Sequence, residues 1–316
     1  MQTILITGGT GLVGKALSKY LLSKGYKVIV LTRAIPISNC NPALQYALWD
    51  VKKQTMDLAA LKAADYIIHL AGAGVVDKKW TEAYKKEIEE SRTQSSKLIV
   101  NSLKENPHTV KAIVSSSAIG WYGADNQEGF AFTEQDPADD SFLGRTCQLW
   151  EDSIDPAAAL GIRVCKLRTG IVLSNDGGAL AEFKKPIQLG VAGILGNGKQ
   201  IVSWIHIEDL CRMFLYAIEN QALQGSYNAV APSPVTNKGL TLKLARKMRS
   251  AFYIPIHVPV FILKMMMGTR SIEVLKSTTV SCSKIKQEGF TYLYPSIDAA
   301  LNELCEKQLP VTNPTS

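Results

Sequence analysis

No apolar run in this 316-residue chain is long enough to span a bilayer. The longest, Val258 to Gly268, is short and carries Lys264, so it reads as a buried or amphipathic helix and no membrane partner is expected. Blocks of five or six like charges are absent as well. The net charge of +7 comes from lysines scattered along helices, so no nucleic-acid partner is expected, and the positive excess would at most attract an anionic small molecule. The six cysteines, Cys40, Cys147, Cys165, Cys211, Cys282 and Cys305, contain no Cys-x-x-Cys pair. Such spacing argues against a metal site and for reduced thiols in a cytoplasmic compartment. The first strand begins at residue 3, which leaves no room for a leader peptide, and no internal repeat is present.

The chain opens instead on a motif. Thr3-Ile4-Leu5-Ile6-Thr7 runs into Gly8-Gly9-Thr10-Gly11-Leu12-Val13-Gly14, with three glycines at Gly-x-x-Gly-x-x-Gly spacing between a strand and a helix. Gly8 permits a tight turn, Gly11 lets the backbone approach a pyrophosphate, and Gly14 lets the helix pack closely on the strand. The N–H groups of the helix start, at Thr10, Leu12 and Val13, attract phosphates. The second strand, Tyr26 to Thr32, leads to Arg33 where an NAD-type site places an acidic residue for the ribose hydroxyls. A guanidinium can pair with a 2′-phosphate, so NADP(H) is the expected cofactor and NAD(H) the less favoured one. Asp50, after the strand Gln45 to Trp49, either touches adenine or caps a turn. The strand Asp65 to Leu70 ends in Ala71-Gly72-Ala73-Gly74, small residues that let backbone lie against the cofactor or pack a tight loop.

Strands near 3–7, 27–32, 45–49, 65–70, 110–116 and 162–168 alternate with helices near 12–24, 80–105 and 140–160. This alternation implies an α/β fold, a Rossmann-like doubly wound parallel sheet, with an interleaved smaller substrate lobe. Gln200 to Trp204 and Ser226 to Ala229 are expected to return to the sheet around a helix His206 to Asn220. The expected division is 1–170 with 200–232 as the dinucleotide-binding part, 171–199 with 233–308 as the smaller lobe, and 309–316 as a frayed tail.

Further segments carry a resemblance over nearly the whole length. They include Glu90-Ser91-Arg92, Ser116-Ser117-Ala118-Ile119-Gly120-Trp121-Tyr122-Gly123, Cys147-Gln148-Leu149-Trp150-Glu151 and Ser203-Trp204-Ile205-His206. The chain resembles an extended short-chain dehydrogenase/reductase and, more narrowly, the atypical epimerase-family subgroup that includes the YfcH-type bacterial proteins. The resemblance implies a redox or epimerisation step on a carbonyl or sugar-like small molecule, and a homodimer is common in that superfamily. Leu70, Ala71, Gly72, Ser115 and Arg92 would lie along the cofactor, with Arg92 reaching it across the cleft or standing as a solvated helix charge. Thr169, Gly170 and Val172 would sit beside the nicotinamide.

Chemistry in the superfamily rests on Ser/Thr, Tyr and Lys: tyrosine passes the proton and lysine lowers its pKa and binds the nicotinamide ribose. Ser117 matches the serine. The Tyr-x-x-x-Lys pair is missing, because placing Glu151 on the glutamate that follows it puts Leu143 and Cys147 at the two positions. A one-residue shift gives Phe142 and Thr146. Tyr122 is the substitute acid, against a packed aromatic ring as its plainer role. Cys147 and Glu151, one helical turn apart, could share a face toward the nicotinamide. His206 and Asp209 either act as acid/base groups or cap the helix that follows. Gly193 to Gly198 is either a lid or a hairpin. A nucleotide-sugar site would need a phosphate clamp, for which Lys184, Lys185 and Arg270 are candidates. The missing pair keeps a second function open: a catalytically silent dinucleotide-binding or sensor protein that acts through partners.

Overall fold

Alternation within the first strands decides the layering. In β1 (Thr3–Thr7) and β2 (Lys27–Thr32), Ile4, Ile6, Val28 and Val30 enter one core, while Leu5, Ile29 and Leu31 enter another. A strand apolar on both faces must be covered on both. The computed structural model describes residues 1–36, 41–125 and 129–306, and within them this requirement is met by helices on either side of one sheet. The sheet adds β3 (Leu44–Asp50), β4 (Thr55–Met56), β5 (Tyr66–His69), β6 (Ala112–Ala118) and β7 (Arg163–Thr169). Helices α1 (Leu12–Ser23), α2 (Leu58–Ala63), α3 (Glu82–Glu105) and α4 (Phe142–Ile154) separate these strands.

The remaining strands are β8 (Ile171–Leu173), β9 (Val191–Leu195), β10 (Ile201–Val202), β11 (Trp204–His206), β12 (Gly225–Ala229), β13 (Val235–Thr236) and β14 (Ile254–Val258). Helices α5 (Ala179–Gln188), α6 (Ile207–Glu219), α7 (Asn237–Arg249), α8 (Val260–Met267), α9 (Ser271–Leu275), α10 (Ser283–Gln287) and α11 (Ile297–Cys305) complete the chain. The eight-stranded sheet has the order β12-β7-β6-β5-β1-β2-β3-β4 and is parallel except for β4. Strand order reverses between β1 and β5, and a doubly wound sheet opens a ligand crevice at that point. Leu17 and Leu21 of α1 and Phe214 of α6 cover one face; Leu61, Leu98, Leu103 and Ile154 cover the other.

A third core belongs to the smaller lobe: Leu180 and Ile187 of α5, Leu240 and Leu244 of α7, Ile297 and Leu301 of α11, and Trp204. Gln200 to Trp204 does not return to the main sheet. Its residues instead form β10, paired with β13, and the start of β11, paired with β8. Only β12 returns, beside β7. The helix expected over 140–160 ends its α-helical part at Ile154, where Pro156 opens a 3-10 segment, Asp155–Leu160. The expected tail at 309–316 and Cys40 lie outside the described residues. Among the described residues no helix is long and apolar enough to cross a membrane.

Candidate dinucleotide cleft

The turn after β1 is built for close approach. Gly8 has φ +68°, a left-handed conformation, and a Cβ there would lie 2.8 Å from the Leu70 carbonyl carbon. At Gly14 a Cβ would fall 2.3 Å from the Gly8 carbonyl oxygen, so α1 rests directly on the turn. A Cβ on Gly11 meets only the Gly8 oxygen, at 3.3 Å, so the space beyond it is open. Helix α1 starts at Gly11 with no side-chain cap bond and no acidic residue in its first turn. Its positive end therefore meets no acidic side chain from its own first turn. These features fit a pyrophosphate at Gly8, Thr10, Gly11, Leu12 and Val13.

The loop after β5 is held by a chain of buried hydrogen bonds that sequence reasoning missed. The Leu70 and Ala71 N–H groups donate to Thr7 Oγ1 at 3.1 and 3.2 Å. With its lone pairs so occupied, Thr7 donates its own proton to His69 Nδ1, 2.7 Å away. His69 consequently carries its hydrogen on Nε2, directed at Ser96 Oγ (3.1 Å), and Ser96 donates to the Arg92 carbonyl at 3.0 Å. Burial, helped by the Arg92 charge, pushes His69 down to about 3, so the ring stays neutral. The local signal was the Thr7 and His69 pair at the ends of adjacent strands, which register places opposite one another.

Arg92 itself is buried, with Nη1 donating to the carbonyls of Ala73 (3.0 Å) and Ile88 (2.8 Å). The solvated-charge alternative is therefore excluded. Arg33 is exposed just beyond β2. Asp50 caps a turn: its Oδ1 accepts the N–H groups of Lys52 and Lys53 at 2.9 and 3.1 Å. Ser115 is buried, its hydroxyl on the Ser116 carbonyl. Thr169 ends β7, Gly170 N–H donates to the Ala229 carbonyl at 3.1 Å, and Val172 pairs in β8 with Ile205.

The expected catalytic groups are committed elsewhere. Ser117 is 1% exposed and donates to Glu151 Oε1 at 2.7 Å. Arg168 donates to both oxygens of the same carboxylate, through Nε at 2.8 Å and Nη2 at 3.0 Å, and Ser226 donates to Oε2 at 2.8 Å. Arg168 Nη1 reaches the Tyr122 hydroxyl at 3.0 Å, and that hydroxyl donates to Asn228 Oδ1 at 2.6 Å. The Arg168 guanidinium lies 3.6 Å from the centre of the Trp121 ring. Burial pushes Glu151 upward, but the Arg168 and hydroxyl bonds outweigh it and hold the carboxyl below its ordinary range. Tyr122 is 3% exposed, and burial, opposed by Arg168, pushes its phenol up to about 12. The geometry thus argues against Tyr122 as a ready proton donor and gives it the packed role. The Ser117 hydroxyl faces Glu151 in a buried network rather than an open cleft.

The two positions of the missing pair are apolar. A Cβ on Gly120 would stand 3.3 Å from Leu143 Cβ and 3.7 Å from Cys147 Sγ, so α4 packs these residues against the turn after β6. Burial, with Arg92 opposing, pushes the Cys147 thiol up to about 11. Cys147 and Glu151 are both buried on α4, Cys147 by Gly120 and Glu151 on Arg168. His206 caps α6 by accepting the Glu208 N–H at Nδ1, and its Nε2 lies 2.9 Å from Glu303. Asp209 accepts the N–H groups of Leu293 and Tyr294, so both take the capping and tethering role. Trp204 is fully buried. Gly193 and Leu195 lie in β9, paired parallel with β14, not in a hairpin. Lys184 is bonded to Asn175 and the Leu304 carbonyl, Lys185 to Glu182, and Arg270 to the Val76 carbonyl, so these three form no common clamp. Among the described residues no cluster could hold a metal ion.

Residues 4–230 match the model of the NAD dependent epimerase/dehydratase family, and residues 258–304 match a domain of unknown function, DUF1731. The chain belongs to the NAD-dependent epimerase/dehydratase family. An epimerase family protein of Staphylococcus aureus is 34% identical over 97% of this chain and 100% of its own length. A human epimerase family protein, SDR39U1, solved with NADPH, superposes with a TM-score of 0.84 at 27% identity, covering 96% of this chain and 99% of that one. MoeE5, solved with UDP-glucuronic acid and NAD, superposes with a TM-score of 0.77 at 20% identity, over 96% of this chain and 98% of that one, a likeness of fold. These structures correct the expectation that NAD(H) is the less favoured cofactor. NAD accompanies most of the similar structures solved with a dinucleotide, NADPH the human one, so one arginine beyond β2 does not rank the two.

Proposed function

We propose that the protein is an NAD(P)-dependent oxidoreductase or epimerase acting on a carbonyl or sugar-like small molecule, within the YfcH-type subgroup. The observation that supports this reading best is the uncapped start of α1, over an open Gly11, at the point where strand order reverses between β1 and β5. Gly8, Thr10, Gly11, Leu12 and Val13 would hold the pyrophosphate. Arg33 and Asp50 would flank the adenosine end. Leu70, Ala71, Gly72, Arg92, Ser115, Thr169, Gly170 and Val172 would line the other half. When bound, the nicotinamide supplies a hydride donor or acceptor. The residues of this chain would orient it: the bonds of Leu70 and Ala71 N–H to Thr7, backed by His69 and Ser96, fix the backbone there, and Leu143, Cys147 and Gly120 would form the wall beside it. Ser117 serves a substrate oxygen only by leaving Glu151. The reaction is therefore one that needs no strong proton donor from α4.

A second reading, a catalytically silent dinucleotide binder acting through partners, is favoured by one observation: the hydroxyls of Ser117 and Tyr122 are both held inside the Glu151–Arg168–Asn228 network. Titration with NADH and NADPH, followed by nicotinamide fluorescence and then by a panel of carbonyl compounds, separates the two. Saturable binding with oxidation by a panel member supports the enzyme. Binding with no turnover supports the silent binder, and absence of binding removes both.

A further inference from the structure

Arg92 is a buried cation that makes no ion pair among the described residues. It is 9% exposed, lies on α3, and spends one nitrogen, Nη1, on two backbone carbonyls. Among the described residues Nε and Nη2 make no hydrogen bond to the protein, which leaves both free to donate. Its Cζ lies 4.9 Å from the centre of the Trp150 ring, which offers the plane a partial partner. Neither Nε nor Nη2 is among the buried atoms that lack a partner, so both reach the solvent side, where a ligand rich in acceptors can meet them.

Its position says which ligand. Gly72 abuts the guanidinium: a Cβ there would fall 3.0 Å from Cζ. Gly72 follows β5, and α4 presents Cys147 on the other side, close enough that the Arg92 charge opposes the rise of its thiol. Arg92 therefore stands at the carboxyl ends of β5 and β6. The pyrophosphate turn follows β1, and the adenosine half runs toward β2 and β3. A group at β5 and β6 meets the opposite half, the ribose that bears the nicotinamide.

We infer that Arg92 donates from Nε and Nη2 to the hydroxyls of the nicotinamide-side ribose, so that α3 supplies the cation that α4, with Cys147, does not. This rests on the dinucleotide reading above. It makes Arg92 a positioning residue, not one that moves a proton.

The test is calorimetric titration of the full chain with ADP, ADP-ribose and NADH, which differ by the second ribose and then the nicotinamide. Arg92→Met is expected to weaken ADP-ribose and NADH about ten- to hundredfold and to leave ADP unchanged. Equal loss for all three ligands would mean that Arg92 only shapes the 72–73 backbone beside the pyrophosphate, and no loss would mean that it faces away; either result overturns the inference. Cys147→Lys added to Arg92→Met is expected to restore part of the ADP-ribose advantage by returning a cation from α4. Should the methionine variant not fold, Arg92→Lys keeps the charge and should retain an advantage of ADP-ribose over ADP; its disappearance overturns the inference. Gly11→Val distinguishes the two levels of reading. It should lose all three ligands if the glycine turn binds the pyrophosphate, whatever Arg92 does. A wild-type protein that binds none of the three refutes the dinucleotide reading, and the Arg92 inference with it.

Discussion

Glu151 and Arg168 form a two-pronged ion pair with each side chain 4% exposed. Removing one member leaves the other charged, dry and unpaired, which costs about 3–5 kcal/mol. Arg168→Leu should lower stability by that order in denaturant unfolding, more than Ser226→Ala, which deletes one bond of four to the carboxylate. The pair also sets an acid limb. Glu151 is held below its ordinary range, so its contribution is complete above the unfolded carboxylate pKa and is lost as pH falls through the folded value. The stability gap between wild type and Glu151→Gln should therefore be largest near neutrality and shrink as pH falls below the ordinary carboxylate range. A gap independent of pH would show that folding does not shift the Glu151 pKa, and a gap that narrows as pH rises above the unfolded pKa would show that the carboxyl is protonated in the folded protein. The sequence showed these residues only singly. Ser117, Tyr122, Glu151, Arg168 and Asn228 are spread over more than a hundred positions, and register between β6, β7 and β12 is what gathers them. A serine at a strand end reads the same whether it faces a cleft or a buried carboxylate.

At the scale of elements, the lobe leaves an edge strand, β14, which among the described residues pairs only with β9. Ile254 N–H bonds to Gly190 and the Val258 carbonyl accepts from Gly196, so the even residues face β9. Pro255 and His257 then turn their backbones to the open edge, where a proline withholds a donor. Pro255→Val is expected to expose a continuous edge beside Phe252, Ile254 and Phe261, all exposed, and to give concentration-dependent aggregation by light scattering. Unchanged scattering would mean the edge is protected in another way. The main-sheet strands were legible because Ile, Val and Leu run through both faces, a pattern no amphipathic surface element has. The short pairs β8–β11 and β10–β13 were not. Their partners lie more than thirty residues away, two or three residues carry no period, and nothing local separates a lobe strand from one returning to the sheet. The glycine turn was legible for the opposite reason: its determinants are contiguous.

For the whole molecule, a ligand that binds only the folded state adds RT ln(1 + [L]/Kd), about 2.7 kcal/mol at a hundredfold excess over Kd. Dinucleotide should therefore raise the thermal midpoint of the wild-type protein by several degrees and leave Gly11→Val unmoved, since the valine Cβ meets little protein but fills the phosphate space. A shift in both proteins would place the ligand away from the turn. The imidazole between β1 and β5 carries this link further. His69 is fully buried at the middle of the sheet, its hydrogen on Nε2 enclosed by α3 and its other nitrogen bound to Thr7. Local fraying of a loop or of the lobe does not uncover that hydrogen; it meets water when α3 lifts from the sheet or the central strands part. Its rate of isotope exchange is thus a clock for the opening of α3 and the central strands, carried by one ring and set where the strand order reverses.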